Sequence, residues 1–304
     1  MPSNPSDRPV SPLRARMIED MTVRGFVEKT RQDYVRHVQA FAAFIGRSPA
    51  TATPGDIRGF QLHQRQSGMQ PPSINTAVSA LRFLFTVTLD RPELARRLTV
   101  VRQPRRLPTV LSVEEVTLLL QAAPGPKYRA AFATAYGAGL RVSEVVSLQL
   151  GDIDSQRKLI RIRQGKGKKD RYAMLSARLL EVLRCWWRSR RPAGQPQKTS
   201  PQDWLFPGWR KDRHMNTATL QDVCREAARA AGLSKRITVH TLRHSFSTHL
   251  LENGTDIRII QVLLGHSRID TTARYARVGP QVVAATVSPL DNVDSNARKA
   301  SRRS

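Results

Sequence analysis

The sequence of 304 residues contains only two cysteines, Cys185 and Cys224. Two cysteines are too few for a disulfide framework or for a zinc cluster built from several thiolates. Each lies in a segment with a helical, partly apolar pattern, where a thiol usually serves as a small packing residue. The cysteine content therefore predicts a protein of a reducing compartment that folds without disulfides.

Long apolar runs are also missing. No run approaches the roughly 18 residues that a membrane-spanning helix needs. The first residues, MPSNPSDRPVSP, lack the apolar core of a secretory signal peptide. We therefore predict a protein of the cytoplasm with no membrane partner.

Acidic residues are in short supply, with 24 Asp and Glu against 50 Lys and Arg and a formal net charge of +26. Such a charge repels itself unless a polyanion screens it, and nucleic acid is the most common polyanion partner of proteins. An anionic membrane is the rival partner, but the sequence has no basic amphipathic anchor. Composition alone leaves a DNA enzyme, a repressor and a ribosome-associated protein as alternatives.

The chain divides into two predicted domains. Residues 1–12 are rich in Pro and Ser and are predicted to be disordered. Residues 13–97 form a predicted helical bundle, because apolar residues recur there at spacings of three and four. Residues 98–109 combine prolines and arginines without a helical period, which is typical of an extended linker.

The second predicted domain covers residues 110–290, and a basic, disordered tail covers 291–304. It opens at a capping box, Ser112-Val-Glu-Glu115, before an apolar helix. The segments 158–163 and 170–175 alternate like strands and are joined by a turn with the sequence Gly-Lys-Gly-Lys. The predicted fold is mainly α with a small antiparallel β-sheet.

Three motifs in the second domain carry residues suited to chemistry. The first, Gly-Leu-Arg-Val-Ser-Glu, places Arg141 at a junction between two helices. The second, His-Thr-Leu-Arg-His, places His240 and Arg243 three residues apart, on one face of a helix. In the third, His266 ends a helix after a glycine and Tyr275 follows nine residues later. The turn between the two strands adds Lys166.

These residue types suit the transfer of a phosphodiester without a metal ion. Two guanidinium groups can clamp the non-bridging oxygens, where negative charge develops in the transition state. Imidazoles can donate hydrogen bonds or exchange protons near neutral pH, and an ammonium group can protonate the departing 5′ oxygen. A tyrosine in a cationic pocket has a lowered pKa and can form a covalent phosphotyrosine.

The order of these residues resembles the tyrosine recombinase (phage integrase) family and its Xer-like bacterial branch. The short motifs around them match as well: Gly139-Leu-Arg, Gly165-Lys-Gly, Thr241-Leu-Arg-His and Leu264-Gly-His. The resemblance covers about residues 13–288. It implies a SAM-like helical core-binding domain at 13–97 and a catalytic domain at 110–290 with the DNA breaking-rejoining fold, which close on DNA as a C-shaped clamp.

For the site, the resemblance implies that Arg141 and Arg243 bind the scissile phosphate and that His240 and His266 donate hydrogen bonds or move protons. It makes Lys166 the general acid and Tyr275 the nucleophile that forms a 3′-phosphotyrosyl intermediate. No metal, ATP or other cofactor is implied. The implied partners are double-stranded DNA and three further copies of the chain, in a homotetramer on paired sites. The resemblance implies that segment 281–290 packs in trans on a neighbouring protomer, and packing on its own domain is the alternative. Glu144 matches a supporting acid that orients the pocket.

Several local alternatives stand beside these assignments. Lys168 and Lys169 compete with Lys166 on the same turn, and this turn lacks the residues of a phosphate-binding P-loop. We assign His244 and His249 to packing or capping, away from the face of His240. Four basic residues are interpreted as phosphate contacts or as solvated surface: Arg171, Arg210, Lys211 and Arg213.

Three functions remain in competition with a recombinase of a mobile element, which integrates or excises it. One is chromosome-dimer resolution by an Xer-type recombinase. Another is a type IB topoisomerase-like enzyme, which uses the same chemistry without site preference. The third is a DNA-binding regulator that has lost catalysis. The sequence also leaves open the DNA site and a need for a second recombinase or an accessory protein.

Overall fold

The computed structural model describes residues 11–102, 108–163, 170–190, 199–210, 212–265 and 286–292. The chain divides into two compact units, Met1–Arg106 and Leu107–Ser304. None of the described helices combines the length and the apolar character needed to cross a bilayer. The predicted fold class is confirmed, because helices dominate both units and one small antiparallel sheet lies in the second.

The first unit is a helical bundle whose helices begin where proline or a capping side chain allows. Its helices are α1 (Pro12–Val23), α2 (Glu28–Ile45), α3 (Pro54–Gln66), α4 (Pro71–Phe83) and α5 (Pro92–Ala95). Four of the five begin at proline, whose missing N–H is not needed in a first turn. Ser11 caps α1, so Ser11 and Pro12 belong to this helix and not to the predicted disordered tail.

The beginning of the predicted linker packs onto the first unit. Leu98 and Val101 are buried in its core. The side-chain amide of Asn75 donates to the carbonyl of Val101 at 2.9 Å and accepts from its N–H at 2.8 Å, and Gln61 binds both backbone groups of Thr99 in the same way. A linker that we predicted over residues 98–109 therefore begins later, because these side chains satisfy the extended backbone. Residues 103–107 lie outside the described part of the chain.

The second unit is built around a central helix, α7 (Pro126–Gly137), which is buried along most of its length. Its helices are α6 (Val113–Gln121), α7 (Pro126–Gly137), α8 (Val142–Val146), α9 (Ala177–Ser189), α10 (Thr217–Ala230), α11 (Val239–Glu252) and α12 (Ile257–Leu264). Eight consecutive residues of α7, from Ala130 to Gly137, are buried. Alanine and glycine are frequent among them, and their small side chains let other helices approach closely.

A three-stranded antiparallel sheet completes the second unit. Its strands are β1 (Ile153–Asp154), β2 (Leu159–Ile162) and β3 (Arg171–Met174), in the order β1-β2-β3. The register pairs Ile153 with Ile160 and Ile162 with Arg171. The hairpin of β2 and β3 matches the sequence pattern, whereas β1 was not predicted because two residues are too few to show an alternation.

The last described segment packs on its own unit. Ser288 is fully buried and donates from Oγ to the carbonyl of Gly137 at 2.7 Å. Leu290 is also buried, and its side chain lies against Gly137 so closely that a Cβ there would come within 2.7 Å of Leu290 Cδ2. The predicted packing in trans is therefore wrong for residues 288–290. Residues 281–285 of that segment lie outside the described residues.

A left-handed turn at Gly139 brings the first motif against α11. Gly139 has φ +63°, and a Cβ added to it would lie 2.4 Å from Cδ1 of Phe246. Two separate requirements, the backbone conformation and the close approach of an aromatic ring, therefore select glycine at this position.

Gly139→Ala is expected to lower the free energy of unfolding of the second unit by about 2–5 kcal/mol, from the left-handed backbone and from overpacking against Phe246. The matched control is Gly232→Ala, at φ +68° with no neighbouring atom within 4 Å, which should cost only about 1–2 kcal/mol. Urea unfolding followed by tryptophan fluorescence measures this unit alone, because all four tryptophans lie beyond residue 185. Equal losses in the two variants would contradict the proposed clash.

Candidate active site

Arg141 is held by a carboxylate one turn away. It is the N-cap residue of α8, directly after the turn at Gly139. Its backbone N–H donates to Oε2 of Glu144 at 2.8 Å, and its Nη1 donates to Oε1 of the same side chain at 2.8 Å. One carboxylate therefore orients both the main chain and the guanidinium of Arg141, which keeps 24% of its side chain exposed.

Arg243 lies deeper, at the meeting point of three elements. It projects from α11 with 4% exposure and donates from Nη1 to the carbonyl of Gly139 and from Nη2 to the carbonyl of Leu264, both at 2.6 Å. Its Nη1 also lies 3.8 Å from Oε2 of Glu144. Burial, followed by the charge of Arg141, lowers the pKa of Arg243 to about 10, so it stays charged near neutral pH.

His240 stands in the first turn of α11, with His244 beside it. Their ring centroids are 4.5 Å apart and the rings are nearly perpendicular. The assignment of His244 to a different face is wrong, because residues four apart in a helix share one side. Burial lowers the pKa of His240, and the charges of His244, Arg243 and Arg141 lower it further. The imidazole is therefore neutral at pH 7 and can accept a proton or a hydrogen bond.

Arg171 is a residue of the site that the sequence analysis did not single out. It begins β3, and its Nη1 and Nη2 donate to the two oxygens of Glu144 at 3.1 and 2.9 Å. The sequence analysis left it as a phosphate contact or as solvated surface, whereas its side chain is only 14% exposed and binds a carboxylate. The period of the strand carried the signal, since Arg171 lies on the same face as the buried Ala173.

Lys166, His266 and Tyr275 lie outside the described residues. Lys166 lies in sequence between Ile162 and Arg171, which form the last strand pair before the undescribed residues 164–169. His266 follows Gly265, whose carbonyl lies 3.4 Å from Nη2 of Arg141. The structure thus brings Arg141, His240 and Arg243 together and leaves the other three as predictions.

The structure tests one further prediction about a side chain near the motif. His249 is buried, and its Nδ1 lies 2.8 Å from the hydroxyl of Tyr136, which is buried as well. The assignment of His249 to packing is therefore confirmed. Within the described ranges, no group of three or more His, Cys, Asp or Glu side chains could hold a metal ion.

The charges of the cluster do not balance. Three guanidinium groups, of Arg141, Arg171 and Arg243, surround the single carboxylate of Glu144. The surplus of positive charge favours an anion, and each terminal guanidinium nitrogen has a second hydrogen that can be donated to it. A neutral imidazole adjoins these donors. The arrangement can therefore bind a phosphate group and exchange a proton beside it.

The family comparison covers both units. Residues 109–281 match the phage integrase family, and residues 13–93 match its N-terminal SAM-like domain. The integrase/recombinase y4qK of Sinorhizobium fredii is 44% identical over 284 residues, which cover 93% of this chain and 89% of that protein. The tyrosine recombinase XerA of Thermococcus onnurineus is 39% identical over 238 residues, which cover 77% of this chain and 78% of the relative.

Solved structures agree on the fold. A lambda integrase dimer bound to a COC′ core site matches with a TM-score of 0.66 at 19% identity, over 84% of this chain and 94% of that one. The Tn1549 transposon integrase in complex with circular intermediate DNA matches with a TM-score of 0.63 at 19% identity, over 86% of this chain and 94% of that one. With the arginine cluster and the family matches over both units, these findings show that the chain belongs to the phage integrase family and is a tyrosine site-specific recombinase.

Proposed function

We propose that six residues carry out the strand transfer in this recombinase: Arg141, Lys166, His240, Arg243, His266 and Tyr275. The observation that carries the proposal is the convergence of Arg141 and Arg243 on Glu144, with His240 beside them. Arg171, two positions after the undescribed residue 169, and Gly265, directly before His266, contact the same cluster. Lys166 and His266 are therefore close in sequence to contacts of the site.

In the proposed reaction, Tyr275 transfers its phenolic proton to a neutral imidazole, of His240 or His266, and its phenolic oxygen attacks the scissile phosphorus. The bond from phosphorus to the 5′ oxygen breaks, and Lys166 donates a proton to that oxygen, which leaves a free 5′ hydroxyl. Arg141 and Arg243 stabilise the charge on the non-bridging oxygens. The 3′-phosphotyrosine preserves the energy of the broken bond, so that a second 5′ hydroxyl can reverse the step and join the strands.

We propose that residues 13–97, within the first unit, form the core-binding domain and residues 110–290 the catalytic domain, acting on duplex DNA in the cytoplasm. The solved relatives described above hold core-site DNA or circular intermediate DNA. We propose a homotetramer on paired sites. The part of segment 281–290 that precedes the buried Ser288, including the 64% exposed Val287, would reach the neighbouring protomer.

Integration or excision of a mobile element is the proposed biological role. The relative with 44% identity is named an integrase/recombinase, and a transposon integrase shares the fold. Chromosome-dimer resolution is the alternative that the likeness to XerA supports.

The test is a covalent trapping experiment. Purified protein is incubated in EDTA with nicked duplexes made from the DNA that flanks its own gene, and SDS-resistant adducts are separated. An adduct on a discrete fragment, with the protein on the 3′ end at the break, supports the proposal. Tight, salt-sensitive binding without any adduct would favour the regulator. Relaxation of plasmids without a preferred sequence would favour the topoisomerase-like enzyme.

A further inference from the structure

The side chain of Arg171 makes more hydrogen bonds to Glu144 than the side chain of either proposed phosphate-binding arginine does. Both of its terminal nitrogens donate to the carboxylate, one to each oxygen, at 3.1 and 2.9 Å. Arg141 supplies one side-chain hydrogen bond at 2.8 Å, and Arg243 stays at 3.8 Å. A bidentate pair fixes the plane of the carboxylate, so Arg171 determines where Glu144 presents its oxygens to the other two arginines.

The same side chain also packs against the end of α12. Gly265 ends this helix in the left-handed conformation, at φ +61°. A Cβ at Gly265 would lie 2.6 Å from Nε and 2.7 Å from Cδ of Arg171, so the arginine lies directly against the backbone of the residue that precedes His266. Nε of Arg171 is buried and has no hydrogen-bond partner among the described residues. Arg171 therefore contacts two of the elements that carry site residues.

Electrostatics supports the same role. Burial would raise the pKa of Glu144, but the charge of Arg171 and the hydrogen bonds from Arg141 and Arg171 outweigh burial and lower it. The charge of Arg171 is the largest of the lowering effects. Arg171 thus keeps Glu144 ionised, and the ionised carboxylate holds Arg141 in place.

We propose that Arg171 is a positioning residue of the recombination reaction: it orients Glu144, and through it Arg141 and Arg243, towards the scissile phosphate, and it supports the end of α12 before His266. The inference rests on the proposed function, because it assigns the phosphate to Arg141 and Arg243. Arg171 itself acts through Glu144, to which both of its terminal nitrogens donate, and through Gly265, against which its Nε and Cδ lie.

Arg171→Met tests the proposal in single-turnover adduct formation on a nicked duplex. We expect the rate to fall about 10- to 100-fold, because small displacements of positioned groups are costly, while the Kd for DNA changes less than about threefold. Arg171→Lys keeps the charge but lacks the fork that spans a carboxylate, so it should recover only part of the rate. Full recovery by Lys would overturn the positioning role in favour of a charge effect.

The matched control is Arg161→Met. Arg161 lies on the neighbouring strand of the same hairpin and pairs with Asp170 at 2.8 Å, with 53% of its side chain exposed. Arg161→Met should change the rate of adduct formation by less than about twofold, because exposed ion pairs contribute little. An equal loss in both variants would show that the general loss of positive charge is responsible, and would overturn the proposal.

A substrate with a neutral scissile group distinguishes a loss of positioning in Arg171→Met from a general loss of structure. A methylphosphonate at the scissile position replaces one charged non-bridging oxygen with a methyl group, so the oriented guanidinium groups contribute less to the rate. The defect of Arg171→Met should shrink to about threefold or less on this substrate. A destabilised fold would give the same defect on both substrates, and that result would overturn the proposal.

A measurement on the free protein tests the positioning role of Arg171 independently of the proposed recombinase function. In NMR spectra of the free protein with labelled arginine, Arg171→Met should shift the side-chain signals of Arg141 and Arg243, and Arg161→Met should not. Unchanged signals would overturn the positioning role even if the enzyme is active. Shifted signals together with no adduct from the wild-type protein would support the positioning role and contradict the proposed function.

Discussion

Tyr275→Phe is expected to abolish the covalent adduct on nicked DNA and to leave DNA binding intact. Phenylalanine keeps the ring and removes only the oxygen that attacks phosphorus. Because no other group of the proposed set can form a phosphotyrosine, the rate of cleavage should fall at least about 10⁴-fold. The measurement is the SDS-resistant fraction over time in EDTA, with a mobility-shift titration in parallel.

Tyr172→Phe is the matched control, since it removes a hydroxyl from a tyrosine of the same unit that is 44% exposed on β3. It should form the adduct at nearly the wild-type rate. An adduct that survives Tyr275→Phe would mean that a different side chain is the nucleophile, and peptide mapping of the adduct would identify it. Loss of DNA binding in Tyr275→Phe would instead indicate a damaged fold.

Glu144→Gln is expected to damage both stability and rate. The carboxylate is 7% exposed and accepts hydrogen bonds from the backbone of Arg141 and from two guanidinium groups. A neutral amide of the same shape leaves three positive charges close together without a counter-ion. Removal of one partner from a buried ion pair costs about 3–5 kcal/mol, and the disordered clamp should lower the cleavage rate about 100-fold.

The pH dependence of this loss has a definite sign. The pKa of Glu144 is lower in the folded protein than the usual value of 4.5, so its charge stabilises the fold above that pH. The difference in unfolding free energy between the wild type and Glu144→Gln should therefore be complete at pH 7. It should shrink as the pH falls through the lowered pKa of the folded state, where the wild-type carboxylate also becomes neutral.

Urea unfolding followed by tryptophan fluorescence at several pH values measures this difference for the second unit. The control is Glu181→Gln in α9, whose partner is Arg178 and whose side chain is 65% exposed. It should cost less than about 0.5 kcal/mol at every pH. A Glu144→Gln protein as stable as this control would contradict the central place of Glu144 in the cluster.

Several elements could be predicted because their signals lie within a few residues of each other. Ser112 and Glu115 exchange hydrogen bonds at the start of α6, as expected of a capping box. The predicted helix before His266 corresponds to α12, which ends at the left-handed Gly265. Caps, turns and helical periods depend on local backbone geometry, so adjacent residues suffice to indicate them.

Two of the wrong predictions concern contacts between distant parts of the chain. Residues 98–101 read as a linker by composition, yet Gln61 and Asn75 bind their backbone. The apolar segment near the end of the second unit was expected to pack in trans, yet Ser288 and Leu290 pack on Gly137, about 150 residues earlier. No local pattern carries such information, because each surface finds its partner only after the chain has folded.

The sequence alone determined the class of this protein: its charge indicated a polyanionic partner, and the order of its motifs indicated strand transfer by a tyrosine recombinase. Short motifs carry that information, since the reaction requires particular functional groups at particular spacings along the chain. Only the tertiary structure decided how the groups support each other. It placed Arg171 on Glu144 and Arg243 on the carbonyls of Gly139 and Leu264. These contacts join residues up to 104 positions apart, and they depend on the packing of α8, α11, α12 and β3 around one buried carboxylate.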